Sequence, residues 1–258
     1  MVAGLCFNQP METDVRGISL TTVDGRGVDA LIAKPNGDGP WPAIVVIHEI
    51  WGADDEMYKH LRHLAWLGYI AVMPNLYSDG GMRKCLIGTL KSLRSGRGRA
   101  YADIEASRQH LLSDDDCTGT VGVLGFCMGG GFALMTASGF SAAAVNYGDL
   151  PKAMDSTLGR ACPIVGSYGR KDVLNKGAAP RLEATLSRLD IPHDVKEYPN
   201  AGHAFMNEEL NGWPWTRPIV RALNFGPDPV AARDAWARIE AFFAAHLVSG
   251  KDTRTATE

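Results

Sequence analysis

The chain has 258 residues, of which 45% are hydrophobic and 21% are charged, and its formal net charge is −3 at pH 7. This composition is that of a globular protein, which excludes a wholly disordered chain, and no run approaches the roughly 18 apolar residues of a membrane-spanning helix. Because there is no basic excess, we expect neither nucleic acid nor an anionic membrane as a partner.

The first predicted elements are a hairpin and two buried strands. Residues 18–35 alternate apolar and polar positions on either side of Asp24 and Gly25, which favours two antiparallel strands joined by a turn. The continuous apolar runs 43–47 and 69–73 are typical of strands covered on both faces. These runs therefore predict the centre of a sheet.

A helix is predicted between the two buried strands, with Asp54 or Asp55 as its N-cap and Gly68 at its end. Residues 77–97 are rich in Gly, Ser, Lys and Arg, and we expect this segment to be less regular. The apolar positions within 101–112 recur at helical spacing, which predicts a second amphipathic helix.

The second half of the chain continues the alternation of strand and helix. A helix of small residues is predicted directly after the turn that follows strand 121–124, and a further helix is predicted over 182–189. The last predicted helix starts with Asp228 as N-cap and Pro229 as first helical residue. The strands predicted in this half are 121–124, 142–146, 164–168 and 193–198.

This order of elements indicates the fold class. Strands that alternate with helices imply an α/β protein with a mostly parallel central sheet and helices on both faces. The sequence contains no internal repeat and no low-complexity linker. We therefore expect a single domain over residues 1–247, followed by a disordered C-terminal tail over 248–258.

The cysteines favour a reducing environment. There are five of them, an odd number without a CxxC pair, which argues against both a disulfide framework and a tetrahedral zinc site. The first 17 residues contain no continuous apolar segment of a secretion signal. We expect a cytoplasmic protein that needs no metal and no organic cofactor.

The strongest chemical signal is the turn Gly125-Phe126-Cys127-Met128-Gly129, which follows an apolar strand and precedes a helix of small residues. A side chain at the apex of such a turn lies in a strained backbone, and small neighbours prevent clashes. The same turn places the Cys127 thiol at a helix N-terminus, which favours a thiolate. The alternative is a structural cysteine in a glycine-rich packing turn.

Two further residues complete a candidate catalytic triad. Asp172 follows the strand that ends near residue 168, and His203 follows the strand that ends near residue 198. The order nucleophile, acid, histidine is that of the nucleophile-elbow hydrolases. The histidine would transfer protons and the carboxylate would hold its tautomer. Each residue alone could be a capping or solvated side chain, and the ordered trio is the informative observation.

The chain resembles the dienelactone hydrolase family of α/β-hydrolase-fold enzymes over nearly its whole length. A serine esterase would show Gly-x-Ser-x-Gly and seldom the His-Glu-x-x-Gly segment, so the combination of motifs is specific. The matching stretches are 48–52 (HEIWG), 74–77 (PNLY), 125–130 (GFCMGG), 168–172 (YGRKD) and 202–205 (GHAF).

The resemblance implies roles for three more residues. Glu49 corresponds to a glutamate that holds the resting thiol and takes its proton when substrate arrives, and burial of such a carboxylate would raise its pKa. A salt-bridged surface carboxylate is the alternative for Glu49. The backbone N–H groups of Ile50 and Met128 would form the oxyanion hole.

The resemblance also exposes a difference in substrate recognition. The best-known members bind a dienelactone carboxylate with two arginines, where this chain has Ser78-Asp79 and Asn207. Neither can replace an arginine clamp, although Arg83, Lys84 or Arg217 could compensate. The insert 206–227 could line an apolar pocket or pack its aromatic residues on the core. The residues assigned to substrate contact are Trp51, Tyr77, Phe126, Phe205, Trp213 and Trp215.

The interpretation that follows is a cysteine hydrolase of ester or lactone bonds that forms an acyl-enzyme intermediate. A thioesterase or a triad-based lyase would use the same residues. A redox sensor or ligand-binding protein of low turnover is the alternative outside catalysis, although a sensor does not need the acid–histidine pair. A monomer or a weak homodimer is the expected assembly.

Overall fold

A computed structural model describes residues 13–210 and 221–248. Of the residues discussed above, Trp213, Trp215 and Arg217 lie outside these ranges, as does the predicted tail apart from Val248. The strands are β1 Val15–Thr21, β2 Gly27–Ala33, β3 Trp41–Ile47, β4 Ile70–Pro74, β5 Cys117–Phe126, β6 Ala143–Asn146, β7 Ile164–Gly169 and β8 His193–Tyr198. The helices are α1 Asp55–Trp66, α2 Met82–Ser95, α3 Arg99–Leu112, α4 Met128–Thr136, α5 Met154–Leu158, α6 Ala178–Arg188 and α7 Pro229–Phe243.

The strands form one eight-stranded sheet in the order β1-β2-β4-β3-β5-β6-β7-β8. The pairs β1–β2 and β2–β4 are antiparallel, and every other neighbouring pair is parallel. The α/β fold class predicted from the alternation of elements is confirmed. The carboxyl ends of the parallel strands share one edge, and the loops that carry the motif residues leave the sheet there.

The two faces of the sheet bury two separate core clusters, and β3 contributes to both. Val45 and Ile47 belong to the cluster covered by α3, α4 and α6, whereas Ile44 and Val46 belong to the cluster covered by α1 and α7. All four side chains are fully buried. Side chains alternate across a strand, so a strand covered on both faces typically has a nearly continuous apolar run.

The predicted helix caps at Asp54 and Asp228 are confirmed. The Asp54 carboxylate accepts a hydrogen bond from the N–H of Met57 at 3.1 Å, and Asp228 accepts from the first N–H groups of α7, which starts at Pro229. Among the described residues, no helix has the length and apolar character needed to cross a membrane.

The segment 77–97 is more regular than expected, because α2 occupies Met82–Ser95. Its side chains Leu86, Leu90 and Leu93 lie four and three residues apart and pack against the α3–α4 core cluster. Gly96, at a left-handed φ of 69°, ends the helix and donates its N–H to the carbonyl of Ser92. Most of the Gly, Ser, Lys and Arg residues of this segment lie on the solvent-exposed side of α2. The composition of the segment therefore does not reveal the apolar stripe on the other side.

Candidate active site

Cys127 lies at the apex of the turn between β5 and α4. Its backbone has φ 53° and ψ −118°, an uncommon conformation for a residue with a side chain. It is the N-cap of α4, as the sequence predicts, so its side chain lies at the positive end of the helix. The residue remains partly exposed and its thiol is free.

The glycines beside Cys127 permit a very close approach of the backbone. A Cβ atom on Gly125 would lie 2.0 Å from the carbonyl oxygen of Gly129. A Cβ atom on Gly129 would lie 2.0 Å from the carbonyl oxygen of Ile47, at the end of β3. Both positions therefore exclude a side chain, because Gly125 meets the backbone of the turn itself and Gly129 meets the end of β3.

Cys127, His203 and Asp172 form a hydrogen-bonded series. The Cys127 Sγ atom lies 3.0 Å from His203 Nε2, and His203 Nδ1 lies 2.7 Å from Asp172 Oδ2. Asp172 and His203 are almost completely buried, with exposed fractions of 1% and 2%. The geometry allows the imidazole to exchange a proton with the thiol while the carboxylate holds its other nitrogen.

Asp172 is held in place by its own loop. Its Oδ1 atom accepts hydrogen bonds from the N–H groups of Leu174 at 2.8 Å and Asn175 at 3.3 Å, and Oδ2 accepts from Asn175 Nδ2 at 3.0 Å. Burial alone would raise the pKa of Asp172, but His203 and these donors hold it below its ordinary value. Asp172 is therefore an ionised acceptor at neutral pH.

The pKa of His203 shifts in the opposite direction. Burial alone would lower it, but the hydrogen bonds to Asp172 and to the Cys127 sulfur outweigh burial and raise the pKa to about 10. The Phe225 ring lies 4.7 Å from the imidazole. The backbone of His203 also pairs with Asn224 and Gly226, which fixes the position of its loop.

Glu49 lies next to the triad and is buried, with 3% of its surface exposed. Its Oε2 atom accepts a hydrogen bond from Asn207 Nδ2 at 3.1 Å. Burial raises the pKa of Glu49, and the interactions with Asn207, His203 and Tyr147 oppose that effect only in part. The carboxyl group therefore has the raised pKa that the family resemblance implies for a buried base.

The segment that carries Ile50 is fixed by a neutral histidine and a tyrosine. His48 Nδ1 donates to the carbonyl of Glu49 at 2.6 Å, and its Nε2 accepts from the N–H of Leu76 at 3.1 Å. Burial lowers the pKa of His48 to about 4, so the ring is neutral and joins two loops. The Tyr77 hydroxyl donates to the carbonyl of Ile50 at 2.9 Å.

The two N–H groups that the resemblance implies as oxyanion donors make no backbone hydrogen bond among the described residues. Met128 is the first residue of α4, so its N–H has no acceptor within the helix. Across the described part of the chain, no acceptor is hydrogen-bonded to the N–H of Ile50.

The family model of the dienelactone hydrolase family matches residues 28–247, which is most of the chain. The chain belongs to the dienelactone hydrolase family. It is accordingly a hydrolase of ester or lactone bonds. The carboxymethylenebutenolidase of Rhodococcus opacus is 30% identical to this family member over 234 residues, which cover 82% of this chain and 84% of the relative.

Solved structures show the same fold at lower identity. A dienelactone hydrolase-like promiscuous phosphotriesterase from metagenomic libraries superimposes with a TM-score of 0.74 at 20% identity, covering 91% of this chain and 98% of the other. The dienelactone hydrolase of Anabaena variabilis gives a TM-score of 0.60 at 17% identity, with coverage of 92% and 99%. These two likenesses concern the fold alone.

The aromatic residues assigned to substrate contact differ in their placement in this dienelactone hydrolase family member. Trp51 is partly exposed beside Ile50. Tyr77 is 3% exposed and holds the Ile50 carbonyl. Phe126 and Phe205 are fully buried in the cluster under α1 and α7, so this packing does not support their assignment to substrate contact.

At the two positions where the best-known members carry arginine, this chain has side chains that bind other residues of the same chain. Asp79 pairs with Arg99, and the Asn207 side chain binds Glu49. Arg83 and Lys84 are exposed in the first turn of α2. A neutral amide thus occupies the place beside Glu49 where a cation would otherwise lower the pKa of that carboxyl further.

Two residues of the site carry no signal that the sequence motifs reveal. Asn175 binds Asp172, and Tyr147, at the end of β6, lies against His203 with 5.2 Å between ring centroids. Position at the carboxyl end of a parallel strand is the signal that could have identified Tyr147. Within the described ranges, no group of three or more His, Cys, Asp or Glu side chains could hold a metal ion.

Proposed function

We propose that this protein hydrolyses a small ester or lactone through a covalent acyl intermediate on Cys127. The single observation that carries the proposal is the series Cys127–His203–Asp172, with Sγ to Nε2 at 3.0 Å and Nδ1 to Oδ2 at 2.7 Å. The thiolate attacks the carbonyl carbon, and the N–H groups of Ile50 and Met128 stabilise the oxyanion. No step of this route needs a metal or an organic cofactor.

The second half of the reaction uses the same residues in reverse. The imidazolium of His203 donates its proton to the leaving oxygen, which completes the acyl-thioester on Cys127. Neutral His203 then removes a proton from water, the hydroxide attacks the acyl carbon, and Cys127 leaves as a thiolate. In this scheme Glu49 is the base that takes the proton from the resting thiol, and its raised pKa suits that exchange.

We further propose a preference for substrates without a carboxylate. The positions of the two family arginines hold a carboxylate paired with Arg99 and an amide paired with Glu49, so neither offers a cation to an anionic group. The free thiols of this scheme are compatible with a reducing, cytoplasmic compartment. A monomer or weak homodimer remains the expected assembly.

The test is steady-state hydrolysis by wild type, Cys127→Ala and Cys127→Ser. The panel is a neutral aryl ester, a neutral lactone, a thioester and a carboxylated dienelactone. Cys117→Ala is the matched control, since Cys117 is half-buried at the opposite end of the same strand, roughly 30 Å from Cys127. We expect Cys127→Ala to lose activity and the control to retain it, with a higher kcat/KM on the neutral compounds.

Each outcome has a distinct meaning. Preference for the thioester would identify a thioesterase with the same nucleophile. Equal activity of Cys127→Ala and wild type would refute the covalent mechanism. A lack of turnover on the whole panel would favour a redox-sensing or ligand-binding role, which the reversible oxidation of Cys127 under peroxide would then test.

A further inference from the structure

A cleft of about 750 Å³ lies between the ends of α2 and α4 and the start of α6, and we call it the α2–α6 cleft. The loops that follow β6 and β7 complete its lining. Its volume is within the range of small-molecule sites, roughly 300–1,000 Å³. None of the triad side chains, Cys127, Asp172 and His203, lines it. The cleft is therefore distinct from the candidate active site.

Part of the lining of the cleft is apolar. Leu93 belongs to the core cluster covered by α3, α4 and α6, and Met135 and Leu150 pack against that cluster. Leu174, in the loop after β7, also lines the cleft and leaves 59% of its surface exposed. A ligand with an apolar part would remove this surface from water, which favours binding.

Four cations line the same cleft, and Asp149 is the one acid among the described residues that line it. The cations come from α2, from the loops after β6 and β7, and from α6; they are Arg94, Lys152, Lys176 and Arg181. In the described part of the chain, no ion pair includes any of the four. The chain as a whole has a net charge of −3, so the cleft is a local concentration of positive charge that complements an anion.

The cleft borders the loop that holds the acid of the triad. Leu174 and Asn175 line the cleft, and their N–H groups donate to Asp172 Oδ1 at 2.8 Å and 3.3 Å. Helix α4, whose first turn follows Cys127, contributes Met135 from its last turn. A ligand in the cleft would therefore contact the two elements that carry the nucleophile and support the acid, without covering either side chain.

We propose that the α2–α6 cleft binds an amphipathic anion, a molecule with an apolar chain that ends in a phosphate or carboxylate group. The chain covers Leu93, Met135 and Leu174, and the cations of the cleft contact the anionic end. Arginine and lysine form charge-assisted hydrogen bonds with both kinds of anion. This binding does not depend on the catalytic mechanism, because it involves no reaction at Cys127.

The first test is calorimetric titration of the wild type with octyl phosphate, octanoate and inorganic phosphate, below the concentrations at which micelles form. We expect octyl phosphate to bind at least about tenfold more tightly than inorganic phosphate, and each methylene removed from its chain to weaken binding about two- to fourfold. The affinity should fall as the ionic strength rises, because salt screens the cations. The tighter of octyl phosphate and octanoate identifies the anionic group that the cleft prefers.

The second test reverses two charges of the cleft in Lys152→Glu/Arg181→Glu. The matched control is Arg16→Glu/Arg233→Glu, which changes the net charge equally at two exposed cations that do not line the cleft. We expect octyl phosphate to bind the first variant at least about tenfold more weakly than wild type, and the control less than about twofold more weakly. Lys152→Gln/Arg181→Gln, which removes the charges without reversing them, should give an intermediate loss, and thermal unfolding checks that every variant is folded.

Three results would overturn the proposal: no binding of octyl phosphate to wild type, binding no tighter than that of inorganic phosphate, or equal affinity of the two charge-reversal variants. If binding behaves as expected but Cys127→Ala keeps its ester hydrolysis, the cleft is confirmed as a ligand site and the proposed function fails. If Cys127→Ala is inactive but octyl phosphate does not bind, the proposed function stands and the ligand site fails.

Discussion

Asn175→Ala perturbs the triad without touching any of its three members. The substitution removes the Nδ2 donor that lies 3.0 Å from Asp172 Oδ2 and 2.8 Å from the carbonyl of Tyr147. The backbone donors of Leu174 and Asn175 to Oδ1 remain, as does the bond to His203. The change therefore deletes one of four hydrogen bonds to a buried carboxylate.

The magnitude follows from the charge of the acceptor. A hydrogen bond to a charged group contributes about 1.5–3 kcal/mol, which corresponds to a loss of about 10- to 150-fold in kcat/KM if it acts fully in the transition state. Since three donors remain on Asp172, we expect a loss near the lower end, about tenfold, with most of it in kcat. The pKa of Asp172 rises, because the Asn175 bond is one of the interactions that lower it.

The assay is steady-state hydrolysis of a neutral aryl ester, together with thermal unfolding. The control is Ser107→Ala, which removes a fully buried hydroxyl that donates to the Asp103 carbonyl within α3, away from the site. We expect both variants to unfold at a lower temperature and only Asn175→Ala to lose turnover. Asn175→Asp should be slower still, because it places a second carboxylate beside Asp172. Unchanged kcat/KM in Asn175→Ala, with a Tm loss like that of Ser107→Ala, would refute a role in orienting the acid.

Three further predictions concern backbone packing and the dependence of stability on pH. Gly129→Ala should unfold at a lower temperature and lose at least 100-fold in kcat/KM, because its Cβ would lie 2.0 Å from the Ile47 carbonyl. Gly88→Ala, the control, has open space around its Cβ and should be neutral or up to about 1 kcal/mol more stable. Equal behaviour of the two variants would contradict the packing argument. His203, with its pKa raised to about 10, adds stability below pH 6.5 that is lost as pH rises towards 10, so denaturant titrations should show a fall that His203→Gln lacks. Burial lowers the pKa of His48 to about 4, so the protein should lose about 3 kcal/mol of stability as pH falls from 6.5 through 4. A similar loss of stability in acid for His48→Gln would count against a buried neutral His48.

The apolar pattern of the sequence is sufficient to locate the centre of the fold. The apolar runs within β3 and β4 are buried on both faces, and such strands typically appear as nearly continuous apolar runs. Asp54 and Asp228 predicted the starts of α1 and α7, because a cap depends on neighbours within one turn. These features are local, so the sequence alone carries them.

The candidate catalytic residues were predictable in part from local sequence as well. The residues around Cys127 identify the turn because only glycine tolerates contacts as close as those of Gly125 and Gly129. Asp172 and His203 were predictable from the chain order and from their positions after β7 and β8. The hydrogen bonds among Cys127, Asp172 and His203 could not be predicted in this way, because they join loops that follow three different strands.

Tertiary structure alone decided which side chains face the site and which face the core. Phe126 precedes Cys127 directly, yet it is fully buried in the cluster under α1 and α7, where it stacks on His60 with 4.4 Å between ring centroids. Tyr147 carries no sequence signature, because its contacts with Asn175 and His203 join residues about 28 and 56 positions away. A local pattern specifies the conformation of a segment, whereas contacts between distant loops exist only after the sheet has brought the strand ends together.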